Sequence, residues 1–359
     1  MQHEYRPTAV APEDRLDSRP DETIAQLLAR ADRPTISAEF FPPRDDKGAA
    51  VLHRSIERLE ALHPDFVSVT YGANGSSRER TLDAVRDIAS STGLRVMGHL
   101  TCTGQSVDEL RAVIDGYGEM GVRHILAIRG DMPGGPLVPW ERHPRGLANA
   151  TELVGLIRSR GEFCVGVGAF PDVHPGSTAE RDVQVLCDKQ AAGAEFAITQ
   201  LFFRPGAYRR LVERLRDAGC GLPVIAGMMP VTAIGQIDRF AELSGAPLPD
   251  EMVARLRAVG DDRAAVRGVG TALCAELARE LLAGGAPGIQ FFTQNRSVAT
   301  LEILGRLAGV PGEVPGSPLR GVVLRARGMF FSRLDRLTPE TSSWLHWCGS
   351  ARPTPGGFP

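Results

Sequence analysis

The sequence lacks the features that mark exported, membrane-bound or metal-cluster proteins. None of its apolar runs reaches the roughly 18 residues that a membrane-spanning helix needs, and no apolar segment follows the charged residues at the amino terminus. Its six cysteines are scattered without C-x-x-C spacing, which argues against a disulfide framework and a structural zinc site. We therefore expect a soluble, cytoplasmic protein with free thiols and no membrane partner.

A strong charge of one sign is also missing. The formal net charge is −2 at pH 7, from 41 basic and 43 acidic residues, and such a balance provides no overall field to attract nucleic acid. Lysine is scarce, because only Lys47 and Lys189 among the 41 basic residues are lysines. Any anion must be bound by a local arrangement of side chains, and the rarity of lysine makes Lys189 a residue to follow.

What the sequence does contain is a repeated alternation of strand and helix. Apolar, strand-like segments occupy residues 35–42, 66–72, 95–102, 124–131, 164–171, 195–203, 223–230 and 288–295. Helix-period segments lie between them, such as residues 51–62, whose apolar residues recur on one face. Eight such units predict a closed (β/α)8 TIM barrel, and no G-x-G-x-x-G motif follows a strand to support a Rossmann fold instead.

Three regions follow from this pattern. Residues 1–33 are a polar tail with a short helix at 21–30 that carries acids in its first turn, and residues 34–310 are the barrel. Extra helices follow the seventh strand at 249–282, with a break predicted at Gly260-Asp-Asp-Arg263. Residues 311–359, with seven prolines and six arginines, have the composition of a disordered extension with one helix over 322–337. A partner-binding role and an incidental extension both remain open for it.

The stretch Ser37-Ala-Glu-Phe-Phe-Pro-Pro-Arg44 places a carboxylate inside an apolar strand. Two prolines end that strand, so Glu39 is expected near its carboxyl-terminal end. A carboxylate in such a position is either paired structurally or used chemically. Chemistry in a TIM barrel lies at the carboxyl ends of the strands, so the second reading is consistent with the predicted fold.

Polar residues follow seven of the eight predicted strands. They are Glu39; Thr70, Tyr71 and Asn74; His99 and Thr101; Arg129, Gly130 and Asp131; Asp172 and His174; Thr199 and Gln200; and Thr293, Asn295 and Arg296. A barrel without a site could carry a polar residue at any one of these places. Their recurrence at one end of the predicted barrel favours a functional site there.

Each of these residues also has a structural interpretation. Arg129 and Asp131 flank a glycine that permits close approach of a flat ligand, yet by themselves they are better explained as a loop salt bridge. His99 is compatible with a core histidine bonded to a carbonyl. Because His99, Asp131 and His174 lie on different strand ends without a tight ligand pattern, no metal site is predicted.

Two further candidates lie later in the chain. Asp182 and Lys189 are seven residues apart, so they share one face of the helix that opens near Thr178, and that face could be an ordinary solvated one. Gln200 offers a donor and an acceptor suited to an amide-like heterocycle, although barrel glutamines also serve as internal hydrogen-bond partners. Both readings stay open for these residues.

The strand-end motifs together resemble one enzyme family. They are Ser37-Ala-Glu-Phe-Phe-Pro-Pro-Arg44, Phe66-Val-Ser-Val-Thr-Tyr-Gly-Ala73, His99-Leu-Thr-Cys102, Ala127-Ile-Arg-Gly-Asp131, Pro171-Asp-Val-His-Pro175, Ala197-Ile-Thr-Gln-Leu-Phe-Phe203 and Phe292-Thr-Gln-Asn-Arg296. Over residues 35–310 the chain is similar to the bacterial 5,10-methylenetetrahydrofolate reductases. That resemblance implies a flavoprotein barrel in which NADH or NADPH reduces FAD, and the reduced flavin then reduces the folate to 5-methyltetrahydrofolate.

The resemblance also implies roles for individual residues. Glu39 is expected to help protonate N5 of the folate, and Asp131 to stabilise the iminium and tune the flavin. Folate contacts are implied for Glu39, Asp131, Gln200 and Arg296. FAD contacts are implied for Thr70, Tyr71, His99, Arg129, Gly130, Asp131, Phe170, His174, Asp182 and Lys189. Relatives commonly self-associate, so a homo-oligomer is expected as well.

Some positions depart from the family pattern. Phe170 and Phe292 stand where relatives frequently have tyrosine, Ile234 where some place a stacking phenylalanine, and Asp188 where a basic residue is common. These changes leave the proton and pterin positions intact but bear on FAD affinity, so a flavin-independent reductase stays an alternative. A non-redox lyase that uses Lys189 as a Schiff base is the other alternative, although that lysine lies on a helix pattern. No ribose-reading motif distinguishes NADH from NADPH.

Overall fold

A computed structural model describes residues 22–71, 75–133, 138–244 and 248–308. Its eight strands are Thr35–Phe40 (β1), Phe66–Val69 (β2), Val96–Thr101 (β3), His124–Ile128 (β4), Cys164–Ala169 (β5), Phe196–Thr199 (β6), Val224–Met228 (β7) and Gly288–Phe292 (β8). Each pairs in parallel with its neighbours, and β8 returns to β1, which closes the barrel in the order β1 to β8. The predicted TIM barrel is therefore confirmed.

Eleven helices are found in the described part of the chain. They are Ile24–Arg30 (α1), Asp46–Glu60 (α2), Gly75–Ser91 (α3), Val107–Glu119 (α4), Ala150–Arg160 (α5), Ala179–Ala191 (α6), Pro205–Asp217 (α7), Gln236–Ser244 (α8), Asp250–Arg257 (α9), Arg263–Ala283 (α10) and Val298–Ala308 (α11). Helices α2 to α7 each follow the strand of the preceding number, as the sequence pattern predicts. None of the helices described is both long enough and apolar enough to cross a membrane.

The helical insertion after β7 has the predicted break. Helix α10 begins after Asp262, whose side-chain oxygen accepts hydrogen bonds from the backbone N–H groups of Ala264 and Ala265 and so caps the new helix. Helices α8, α9 and α10 enclose a small apolar core of their own, which includes Phe240 and Leu256. The insertion thus packs on the barrel beside β7.

Inside the barrel, apolar and polar side chains form separate layers. The lower layer consists of Phe66, Met97, Leu126, Cys164, Phe196, Ile198 and Ile225, and helix α1 packs against it through Ile24 and Leu28. Side chains alternate along a strand, so residues two positions further on point inward as well. In β2 and β3 those residues are Ser68 and His99, and both are buried. The interior therefore becomes polar toward the carboxyl ends of the strands.

Several predicted boundaries differ from those observed. The strands end one to four residues earlier than predicted, because the ladder to the neighbouring strand stops before the strand-end motifs, which belong to the loops that follow. Helix α1 begins at Ile24 with a capping box between Thr23 and Gln26, so the expected acids precede the helix and do not lie in its first turn. Asn74, the amino-terminal tail and the helix predicted at 322–337 lie outside the described residues.

Candidate active site

Glu39 lies within the barrel near the end of β1. Glu39 is only 8% exposed to solvent, and its Oε2 accepts a hydrogen bond of 3.2 Å from Nε2 of Gln290. Burial raises the pKa of Glu39 to about 8, against a smaller lowering effect of the Gln290 hydrogen bond. The carboxyl group is consequently protonated at neutral pH and can act as an acid.

His99, from β3, is the titratable neighbour of this acid. Its Nε2 lies 3.7 Å from Oε2 of Glu39, and it makes no hydrogen bond to the described residues although it is buried. Burial lowers the pKa of His99 to about 3, so the imidazole is neutral. Thr101 Oγ1, two residues further along β3, is also buried without a hydrogen-bond partner among the described residues. Other buried polar atoms of the described residues, such as His124 Nε2, also have no hydrogen-bond partner. The atoms of His99 and Thr101 differ in lying together near the carboxyl end of β3, where a bound molecule would satisfy them.

Gln290, in the middle of β8, was not among the predicted site residues. Its side chain is fully buried, and Nε2 donates to Ser68 Oγ as well as to Glu39, at 3.2 Å in each case. Its Oε1 accepts from Ser37 Oγ at 3.2 Å. The sequence did contain a sign of this role, because Gln290 is a polar residue within an apolar strand, as Glu39 is.

The loop after β4 forms a second part of the site. Arg129 does not pair with Asp131, so the predicted loop salt bridge is wrong. Instead its guanidinium carbon lies 5.7 Å from the centre of the Trp140 ring, and Nη2 donates to His174 Nε2 at 3.5 Å. Trp140 Nε1 in turn donates to Thr103 Oγ1 at 3.1 Å. The carboxylate of Asp131 is exposed, and no ion pair or hydrogen bond to it is found among the described residues.

Gly130 fits this loop for steric reasons. Its φ is +82°, in the left-handed region that favours glycine. A Cβ atom at this position would lie 2.7 Å from Thr103 Oγ1 and 2.8 Å from Thr101 Cβ. Any side chain here would therefore press against the end of β3, next to the unpartnered Thr101 hydroxyl.

The loop after β5 is tied to helix α6. Phe170 and His174 pack edge to face, with ring centres 4.7 Å apart. The backbone N–H of His174 donates to Asp182 Oδ2 at 2.7 Å. Asp182 therefore holds the loop that carries His174 and does not lie on an ordinary solvated face.

Lys189 lies two turns after Asp182 on the same face of α6, and its side chain is buried against the barrel. Its Nζ donates to the carbonyl oxygen of Gly168 in β5 at 3.1 Å. Burial lowers the pKa of Lys189 to about 8, and the nearby charge of Asp182 acts in the opposite direction. The solvated-face interpretation is therefore wrong for this residue as well. The ammonium group lies beside β5 and retains donors for an anion.

The remaining predicted residues lie around the same end of the barrel. Thr70 follows β2, where its backbone N–H donates to the carbonyl oxygen of Phe40 at 2.9 Å. Tyr71 is buried, with its hydroxyl 3.0 Å from Gln105 Oε1. Gln200 follows β6 and is half-buried; its Oε1 accepts from the backbone N–H of Leu201 at 2.8 Å. Arg296 follows β8 and is exposed.

The mouth of the barrel has features that suit a flat, phosphate-bearing ligand. No group of three metal-ligating side chains occurs in the described part of the chain. The mouth combines two unpartnered buried polar atoms, a glycine loop that permits close approach and a buried ammonium group, which are features expected around a flat ring and an anionic phosphate chain. Phe170 and Trp140 add aromatic surface, and of these two only Phe170 was predicted.

Comparison with known proteins gives consistent matches over the barrel. A family model described as methylenetetrahydrofolate reductase matches residues 23–308. The sequence is 36% identical over 293 residues to the 5,10-methylenetetrahydrofolate reductase of Salmonella typhimurium, which covers 81% of this chain and 97% of that one. It is 37% identical over 278 residues to the protein of the same name from Escherichia coli, with 77% and 92% covered.

A solved structure shows a similar fold. It is that of an uncharacterized protein from Clostridium thermocellum that binds two copies of 5-methyl-5,6,7,8-tetrahydrofolic acid. The TM-score is 0.55 at 14% sequence identity, over 78% of this chain and 96% of that one. At this identity the likeness supports the fold alone.

Proposed function

The chain belongs to the methylenetetrahydrofolate reductase family, and we propose that it reduces 5,10-methylenetetrahydrofolate to 5-methyltetrahydrofolate with NADH or NADPH through bound FAD. Family membership makes the protein an oxidoreductase and removes the Schiff-base lyase alternative. The two half-reactions would use one site in turn, in a ping-pong sequence. The product would supply methyl groups for methionine synthesis in the cytoplasm.

One observation carries the chemical part of this proposal. Glu39 is buried at the mouth of the barrel with its pKa raised to about 8 by burial, so it holds a proton at neutral pH. The methylene group of the folate ends on N5 of the product, so ring opening breaks its bond to N10, and the proton is needed at N10 and not at N5. A neutral carboxylic acid in an apolar strand end is suited to deliver that proton. The O–H bond of Glu39 breaks and an N10–H bond forms. The bond between N10 and the methylene carbon breaks at the same time, and the lone pair of N5 forms the electrophilic N5=CH2 iminium.

Other residues would bind and stabilise the folate. Asp131 presents an exposed carboxylate after β4, and a fixed negative charge there would stabilise the cationic iminium. Gln200 carries an amide group that can donate to and accept from the pterin edge. Arg296 is exposed after β8, where its charge would attract the carboxylates of the folate tail.

The FAD site is proposed from the same end of the barrel. When bound, FAD supplies the hydride chemistry, because it accepts hydride from the nicotinamide and gives it to the folate methylene carbon. The isoalloxazine ring would be contacted by Thr70, Tyr71, His99, Gly130, Asp131 and Phe170, and the ribose and phosphates by Arg129, His174, Asp182 and Lys189. Phe170 offers only a ring face or edge, so it can stack but cannot donate a hydrogen bond.

Glu39→Gln tests the assigned chemistry. The amide cannot donate the required proton, so reduction of the folate should fall by at least about a hundredfold, while oxidation of NADH or NADPH by the bound flavin should continue. Anaerobic stopped-flow absorbance of the two half-reactions separates these steps. Glu57→Gln, on the exposed side of α2, is the matched control and should leave both rates unchanged.

Loss of both half-reactions in Glu39→Gln would contradict the assigned role.

The flavin part of the proposal has its own test. Purified protein should carry the yellow absorbance of a flavin at about 450 nm. Colourless protein that still oxidises NADH or NADPH in the presence of the folate would show a flavin-independent reductase instead.

A further inference from the structure

Gln290 occupies a position that neither the FAD site nor the folate site explains. It is fully buried in β8, and both N–H groups of its amide are used, one toward Glu39 Oε2 and one toward Ser68 Oγ. Its carbonyl oxygen accepts from Ser37 Oγ. The amide therefore links three strands, β1, β2 and β8, directly beneath the catalytic acid.

Ser37 bears on which way this amide faces. Its Oγ lies 3.2 Å from Oε1 of Gln290 and 3.3 Å from the carbonyl oxygen of Ile289, and its one proton is shared between these two acceptors. A hydroxyl that donates to Oε1 favours the orientation in which Nε2 points at Glu39. In that orientation Gln290 can only donate to the acid. The oxygen that receives this hydrogen bond is Oε2, and Oε1 of Glu39 is left without a donor among the described residues.

We propose that Gln290, oriented by Ser37, is a positioning residue for the acid: it donates to Oε2 of Glu39, so that the transferable proton is carried on Oε1, and it eases release of that proton. The inference rests on the proposed function in one respect only, which is that the proton of Glu39 goes to the folate. When the O–H bond at Oε1 breaks, the electron pair stays on the carboxylate, and the Gln290 N–H is already in place to stabilise it.

Among the described residues, no other side chain donates a hydrogen bond to the carboxyl group of Glu39. From β3, His99 Nε2 lies 3.7 Å from Oε2, but burial lowers its pKa to about 3, so the ring adds no positive charge at neutral pH. From β2, Ser68 contacts Gln290. A buried carboxylate without a donor is costly, so the state of the acid after proton transfer depends on Gln290.

Gln290→Leu tests this inference on the substrate-free protein. Without the amide, the ionised form of Glu39 loses its donor, so the titration midpoint of Glu39 should rise by at least about one pH unit. The midpoint is read from the infrared carboxyl band, or from ¹³C NMR of glutamate Cδ, and is assigned by its disappearance in Glu39→Gln. Ser37→Ala should shift the midpoint in the same direction by a smaller amount.

Tyr208→Phe is the control. It removes a buried hydroxyl that donates to the carbonyl oxygen of Val224 at 2.7 Å in the barrel wall, and the midpoint of Glu39 should not move. In stopped-flow experiments, Gln290→Leu should slow folate reduction at least about tenfold with a small change in KM and an unchanged nicotinamide half-reaction.

An unmoved midpoint in folded Gln290→Leu would overturn the inference. If that variant does not fold, the midpoint in Ser37→Ala decides, and no shift there overturns it equally. The result is independent of the proposed function, because the titration needs neither folate nor flavin. A shifted midpoint in a protein that reduces no folate would uphold the hydrogen-bond role and reject the reductase assignment.

Discussion

Lys189 is the residue whose position differs most from the ordinary behaviour of its type. Lysine side chains are seldom fully buried, yet this one is 9% exposed and reaches the carbonyl oxygen of Gly168 through Nζ. Asp182 on the preceding turns of α6 favours its charged form, whereas burial disfavours it. Burying a charged ammonium group costs free energy, and a bound anion would offset that cost. The phosphates of FAD are the anion we propose.

We predict that Lys189→Met weakens FAD binding by about tenfold or more, because one charge-assisted hydrogen bond is lost. The change is measured as the dissociation constant for flavin added to the flavin-free protein. Lys47→Met alters the other lysine of the chain, which is exposed on α2, and should leave the constant unchanged. Equal affinities in the two variants would remove Lys189 from the cofactor site.

At the scale of the element, the loop after β4 depends on one glycine. Gly130→Ala should destabilise the protein by about 1–2 kcal/mol through its positive φ, and by about 1–3 kcal/mol more through the contact with Thr101 and Thr103. Urea denaturation measures the loss, and flavin titration should show weaker binding. Both effects follow because the loop has to move away from the end of β3.

Gly219→Ala separates the two causes. Its φ is +74°, but a Cβ atom there would meet no atom within 4 Å. This variant should show the backbone cost alone, with flavin binding intact. If Gly130→Ala is no worse than Gly219→Ala, the close packing against β3 is not important.

Helix α1 is a second element with a defined role, because it covers the lower end of the barrel. Ile24→Ala should lower the free energy of unfolding by about 2–5 kcal/mol, since Ile24 is fully buried against the lower apolar layer. Arg30→Ala, which removes surface ion pairs to Glu22 and Asp32, should cost less than about 1 kcal/mol. Similar losses in the two variants, measured by urea denaturation, would show that α1 does not contribute to the core.

The elements themselves could be predicted because strands buried on both faces give continuous apolar runs. Their ends could not, because a strand ends where its neighbour stops pairing, and the residue types that follow do not mark that point. Within the site, Glu39 was predicted from its unusual surroundings, and Gln290 in β8 carried the same signal. Trp140 carried none, because it lies in an irregular segment and meets Arg129 only through tertiary folding.

At the scale of the whole molecule, Glu39 makes stability depend on pH. Its pKa is about 8 in the folded protein and 4.5 as the ordinary value, so between these values the folded state keeps a proton that the unfolded state releases. Stability from this group is therefore fully present below pH 4.5 and is lost as pH rises through 8, at up to about 1.4 kcal/mol per pH unit.

We predict that Glu39→Gln removes this dependence. The free energy of unfolding of the variant, relative to that of the unchanged protein, should increase steadily from pH 5 to pH 8. Urea denaturation at pH 5, 6.5 and 8 on flavin-free protein measures the difference, which cancels the contribution of His99 and other groups common to both. Parallel pH curves would show that Glu39 is ionised in the folded state.

The hydrogen bond between Glu39 and Gln290 joins residues 251 positions apart, across the seam where the first strand meets the last. A ribosome that makes the chain from its amino terminus delivers the acid early and its partner almost at the end of the barrel. In the nascent polypeptide, the proposed proton donor therefore has no Gln290 partner until synthesis passes β8. Fragments released prematurely would retain most of the strands and still lack this hydrogen bond across the closure of the barrel.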